Sequence, residues 1–130
     1  MLLLLKLKRY DECKTAIEVL EEMPRNSVQE AMYLCIKSYY EGVVCGKLYE
    51  ATKLSAQALE IKRKIFIEND LRIAESHYVN SRLYLMCGKY EKAQHCCKKS
   101  ENILKNFPQK SDLKNIVNEL KIEISSLKNS

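Results

Sequence analysis

Six cysteines and two histidines are the residues of this chain whose types lend themselves to chemistry, because thiolates and imidazoles ligate zinc and paired thiols carry redox reactions. Their spacing argues against both. The sequence has no CxxC pair, and His77 and His95 have no ligand-spaced companions; His95-Cys96-Cys97 is the tightest cluster. Cys45 and Cys87 each stand just before a glycine, Cys13 takes the offset of Ala51 and Ala93, and Cys97 follows Ala93 by one helical turn. These read as small-hydrophobe packing positions, where reduced cysteine is at home. No metal and no cofactor is expected. The chain also lacks a GxSxG elbow, a phosphate-binding glycine loop and an HExxH pair, so the expectation is a protein that is not an enzyme. Reduced thiols without an export signal point to the cytoplasm or the nucleus.

The elements that position these residues are organised around Leu83-Tyr84-Leu85-Met86-Cys87-Gly88-Lys89-Tyr90-Glu91-Lys92-Ala93, which reads as a helix end, a glycine corner and a helix start. Forty-two residues earlier, Val43-Val44-Cys45-Gly46-Lys47-Leu48-Tyr49-Glu50-Ala51 repeats cysteine, glycine, lysine and alanine at matching offsets, and Leu7-Lys8-Arg9-Tyr10-Asp11-Glu12-Cys13 is a degenerate third copy. A fixed period with a corner inside it marks a helical repeat, whose units bury their apolar faces on one another. In a single module of 130 residues the reading gives a truncated first repeat over 1–24, a second over 26–67, a third over 70–107 and a capping helix over 110–128.

Within that frame, Tyr10, Cys13, Ile17 and Leu20 have helical spacing, and Pro24 ends their helix. Ser27 with Glu30 predicts a capped start for a helix running to Cys45. Gly46 turns the chain into a helix with Ala51, Ser55 and Ala58 on its stripe, and Asp70 caps the next one. The last helix carries Leu113, Ile116, Val117, Leu120, Ile124 and Leu127 on one face, with a solvent face expected to be polar throughout. The leucines of Met1–Leu7 have no basic region before them and no cleavage site after them, so they read as the end of a helix and the chain as a piece or short isoform of a longer array. No run approaches the ~20 apolar residues that cross a bilayer, so no membrane partner is expected.

The pattern resembles the tetratricopeptide repeat, in which a ring late in the first helix, glycine-x-tyrosine at the corner and an alanine three residues on recur in order. Tyr84, Gly88, Tyr90 and Ala93 match it, as do Gly46, Leu48 and Ala51, while Gly42 stands in the place of the first-helix ring. The forty-two-residue period and the basic stretch from Ala58 to Lys64 are similar to the longer repeat of kinesin light chains. The resemblance implies an all-α solenoid of antiparallel helix pairs, with the first helices lining a concave face.

On that reading the inward side chains are Tyr33, Ile36, Lys37, Tyr40 and Val44 from one first helix and Glu75, Tyr78, Arg82 and Met86 from the next. Tyrosine and arginine dominate many interfaces and methionine adapts to irregular partners, so the strip suits a protein or peptide segment. Two alternatives stay open: that a neighbouring or C-terminal helix covers the strip, and that the helices brace further repeats or a catalytic domain of a longer parent chain. The net charge of +5, with Lys62-Arg63-Lys64 and Lys98-Lys99 on second helices, admits a third reading, RNA on the convex face, which no nucleic-acid motif accompanies.

Overall fold

Apolar residues recurring every third or fourth position drive the chain into helices, and the computed structural model, which describes residues 10–130, shows six α-helices and no strand among the described residues. The leucines before Tyr10 lie outside them. α1 (Tyr10–Glu21) buries Cys13, Ile17 and Leu20, and α2 (Ser27–Tyr39) follows Pro24. The start of α2 is capped one residue ahead of the expected serine. Asn26 accepts the Gln29 N–H at 2.9 Å and donates its own N–H to the Gln29 side chain at 3.0 Å, while Glu30 pairs with Arg25.

α2 does not run to Cys45 as one α-helix. At Tyr40 it widens into a π-helical turn (Tyr40–Val44), in which the Cys45 N–H reaches back to the Tyr40 carbonyl at 3.2 Å. Gly46 then reverses the chain with φ 74°, and Lys47 N–H closes on the Glu41 carbonyl at 2.8 Å. The corner at Gly88, φ 76°, is a Schellman motif, with Gly88 N–H on Leu85 and Lys89 N–H on Tyr84 at 2.9 Å. Both glycines occupy the left-handed region that costs other residues energy. The first corner spans one residue more than the second.

α3 (Leu48–Ile65), α4 (Leu71–Met86), α5 (Tyr90–Leu104) and α6 (Ser111–Lys128) complete the chain. Asp70 caps α4 by accepting the Arg72 N–H at 2.9 Å, as its position predicts. Buried serines set the pairing of α4 with α5. Ser81 donates to the Ala93 carbonyl at 2.6 Å and Ser100 to the Ala74 carbonyl at 3.0 Å, residues mirrored about the Cys87 corner, so the two helices run antiparallel. Lys62 Nζ to the Arg72 carbonyl at 2.9 Å and Ser55 to Asn80 tie α3 to α4 in the same sense.

Consecutive helices pack on one another, and α4 also touches α2 and α6, an order consistent with a helical repeat. That position explains why α4 is buried nearly all round, from Ile73 through Val79 and again at Ser81, Leu83 and Leu85. Ala51 and Ala93, fully buried, allow close helix approach. Gly42 plays the same part from the π turn. A Cβ there would lie 2.9 Å from Ala51 Cβ and nearer still to Leu83 Cδ2, so the ring expected at this point has no room.

Two further expectations are corrected. Cys45 and Cys87 are exposed helix caps and not packing positions, whereas Cys13, Cys35 and Cys97 are core. α6 buries Leu113, Ile116, Val117, Leu120 and Ile124; Leu127, at the end of the same face, is 42% exposed, and Ile122 on the outer side is 61% exposed, so that side is not uniformly polar.

Candidate functional site

The extra residue in the π turn decides which side chains meet. Downstream of the corners, equivalent positions are forty-two apart: Ala51 with Ala93, Ser55 with Cys97, Ala58 with Ser100, all buried. Upstream the spacing is forty-three, as with the buried pairs Ala31 and Ala74, and Ser38 and Ser81. Counting forty-two through the turn therefore displaces every α2 residue by one position, about 100° of helix.

A cleft of about 500 Å³ opens where α2, the π turn, α4 and α6 come together. Tyr39 and Val43 line it from one side, where the spacing had pointed to Tyr40 and Val44, and Tyr78, Arg82 and Met86 line it from the other. Tyr10 from α1 and Glu123 from α6 complete the wall. Tyr39 and Val43 are signalled in the sequence only by the forty-three-residue register; nothing local marks Tyr10 or Glu123.

The remaining positions of the expected strip lie elsewhere. Ile36 is core, 3% exposed. Tyr33 and Lys37 belong to a cluster between α1 and α2, in which Tyr33 donates to Glu21 at 3.2 Å, Lys37 donates to the Tyr33 hydroxyl at 3.1 Å and Arg25 covers the ring at 4.3 Å. Glu75, 2% exposed, sits under α2 and α3, where it and Lys62 act in opposite senses on the buried Cys35 thiol, which burial pushes up. Tyr40 packs half-buried against the core, and Val44 is exposed.

Arg82 is the charged residue of the α4 wall. Burial works against its charge, but hydrogen bonds to the Tyr78 hydroxyl at 3.5 Å and the Glu123 carboxylate at 2.7 Å outweigh that, so the guanidinium holds its proton more firmly than an ordinary arginine. α6 thus touches the end of the cleft through a salt bridge rather than by covering it. Burial also pushes the Tyr39 phenol up, with Tyr78 and Tyr10 adding to the effect, which keeps it a neutral donor. The lining is therefore aromatic and aliphatic, with one cation and one anion held against each other. Among the described residues no His, Cys, Asp and Glu group has the arrangement of a metal site. Nor is any described helix long and apolar enough to cross a membrane.

Compared with family models, with curated proteins and with solved structures, the chain matches none of them.

Proposed function

We propose that the chain is a tetratricopeptide-type solenoid acting as an adaptor or scaffold in the cytoplasm, holding an extended or helical segment of a partner polypeptide in the cleft. The observation that carries this reading is the lining itself: Tyr10, Val43 and Met86 offer apolar surface in a concave site over the buried rings of Tyr39 and Tyr78, with the Arg82 guanidinium beside it to fix orientation. The exposed Tyr10 contributes large contact area at small entropic cost, and a half-exposed Met86 adapts to the segment it meets. Glu123 already occupies Arg82, so a partner carboxylate arriving there exchanges one salt bridge for another and adds orientation more than affinity.

The experiment is a selection of random displayed peptides on the folded chain, followed by affinity measurement on Met86→Glu and on Val19→Glu, an exposed control on α1 away from the cleft. Loss of binding in the first with an unchanged melting temperature supports the adaptor. Equal binding to both variants contradicts it.

A second reading, that the helices brace further repeats of a longer chain, draws on Ile122, 61% exposed on the outer side of α6 where another helix pair would stack. It predicts that Ile122→Lys leaves the melting temperature of this chain unaltered while abolishing gain of stability from an appended repeat.

A further inference from the structure

α6 lies along α5 as an antiparallel ladder with a seven-residue step. Lys121 donates to Glu101 at 3.2 Å and Lys128 to Gln94 at 3.2 Å, so seven residues forward on α6 are seven back on α5. Seven residues are two helical turns, about 10.5 Å. Two cavities of about 220 and 360 Å³ follow one another along the seam of this pair, and Glu101 lines both. They share no residue with the cleft at Arg82.

The floor of this groove keeps the same step. Cys97 and Leu104 from α5 and Val117 and Ile124 from α6 are each at most 3% exposed, so the floor is closed and presents a partner with little apolar surface. What the groove presents is charge. Lys98 and Lys105 stand on its α5 wall and Lys114 and Lys121 on its α6 wall, each pair again two turns apart, and Lys128 follows at the end. The acid of the lining, Glu101, is held by Lys121, while Lys98, Lys105 and Lys114 take part in no salt bridge among the described residues. Five lysines against one glutamate concentrate a net charge of +4 on one seam of a chain whose whole net charge is +5. Rows of like charge on facing walls repel one another, and a complementary anion relieves them.

We propose that the α5–α6 groove docks an acidic helix of a partner protein, laid along the seam with its carboxylates toward the two rows of lysines. A seam between two packed helices is the shape that a third helix fills. Carboxylates at every third or fourth position of one helical face recur every two turns, which matches the lysine step on both walls. Each such pair is exposed and weak alone, so recognition depends on several forming in register. Glu101 in the middle of the seam favours a polypeptide over a nucleic acid. A helix sets a neutral or basic residue against it, whereas a phosphate backbone brings an unbroken run of negative charge.

The test is fluorescence anisotropy of two labelled alanine-based peptides, both stapled as helices, on the intact chain at low salt. One carries glutamate at every third or fourth position along a single face; the other has the same composition in scrambled order. The patterned peptide binds at least about tenfold more tightly than the scrambled one. K98E/K105E, two exposed residues of one wall, weakens its binding by at least about tenfold, while K14E/K53E, the same charge change on exposed lysines of α1 and α3, weakens it by less than about threefold. On the wild-type chain, its largest amide shifts fall on Lys98, Lys105, Lys114 and Lys121. Absent binding of the patterned peptide, equal binding of the two peptides, equal losses in the two double variants, or shifts centred away from the seam overturns the proposal. So does a single-stranded RNA that binds more tightly than the patterned peptide and displaces it, which assigns the groove to nucleic acid.

Discussion

Tyr39 and Arg82 face each other across one cleft forty-three residues apart in the chain, one more than the spacing of the corner glycines Gly46 and Gly88 that follow them. The additional residue is taken up in the π turn, where Lys47 closes on Glu41, a span one residue wider than that from Lys89 to Tyr84. Deleting Val44 gives this corner the second corner's length and leaves the buried face of α2 in register, so we expect a loss below about 2 kcal/mol by urea denaturation, whereas deleting Leu34 within α2 turns its buried face out of register and costs more than about 3 kcal/mol, the scale of removing a large core side chain. Equal losses for the two deletions contradict the assignment of the extra residue.

The glycines separate two kinds of constraint. Gly42→Ala meets Ala51 and Leu83 and is expected to cost about 1–3 kcal/mol by overpacking. Gly46→Ala and Gly88→Ala meet no atom within 4 Å but keep φ at 74° and 76°, so each is expected to cost about 1–2 kcal/mol from backbone strain alone. Leu83→Ala removes a fully buried side chain and is costly alone, but combined with Gly42→Ala the joint loss is less than the sum of the two, whereas with Gly46→Ala or Gly88→Ala the losses add, which denaturation curves of the double variants check.

His77 links stability to pH. Burial, reinforced by Lys99, Arg63, His95 and Lys62, lowers its folded pKa from 6.5 to about 4. The unfolded chain therefore takes up a proton that the folded chain refuses, so the contribution is full above pH 6.5 and is lost as the pH falls toward 4, by about 3 kcal/mol in all for this buried ring. Melting temperatures between those limits fall more steeply for wild type than for His77→Gln. Parallel slopes contradict the burial of the ring.

Thiol reactivity follows exposure. Cys45 and Cys87 at the two corners are expected to alkylate first in the folded protein, seen as two early mass increments. Cys97, pushed up to about 11 by burial and then by Glu101, and the buried Cys13 and Cys35 label only in denaturant. Rapid native labelling of Cys97 contradicts the packing of α5 on α6.

Helices, corners and packing alanines were legible because they depend on local pattern: apolar residues at helical spacing, a glycine where φ turns positive, and small residues at Ala51 and Ala93 where helices approach. The cleft was legible only in part. Tyr78, Arg82 and Met86 lie downstream of any irregularity, so their helical spacing placed them on one face, but the α2 side was displaced by a π turn that no residue type announces. Gly42 carried a signal, since a glycine replacing a ring inside a helix marks close approach. Glu123 carried none, because its salt bridge to Arg82 joins residues forty-one apart through the docking of α6. Exposure of Cys45 and Cys87 was hidden for the opposite reason: thiols at helix ends look like core thiols until the caps are placed.

The most direct measurement is amide chemical-shift mapping of the isotopically labelled chain on addition of a peptide selected from a random library. The account predicts that the largest changes fall on Tyr39, Val43, Tyr78, Arg82 and Met86, with the Arg82 guanidinium signal moving as Glu123 is displaced, and that His77 and Lys99 on the opposite side stay still. Changes centred on α3 and α5, or spread evenly over the helices, contradict the cleft as the surface on which a partner rests.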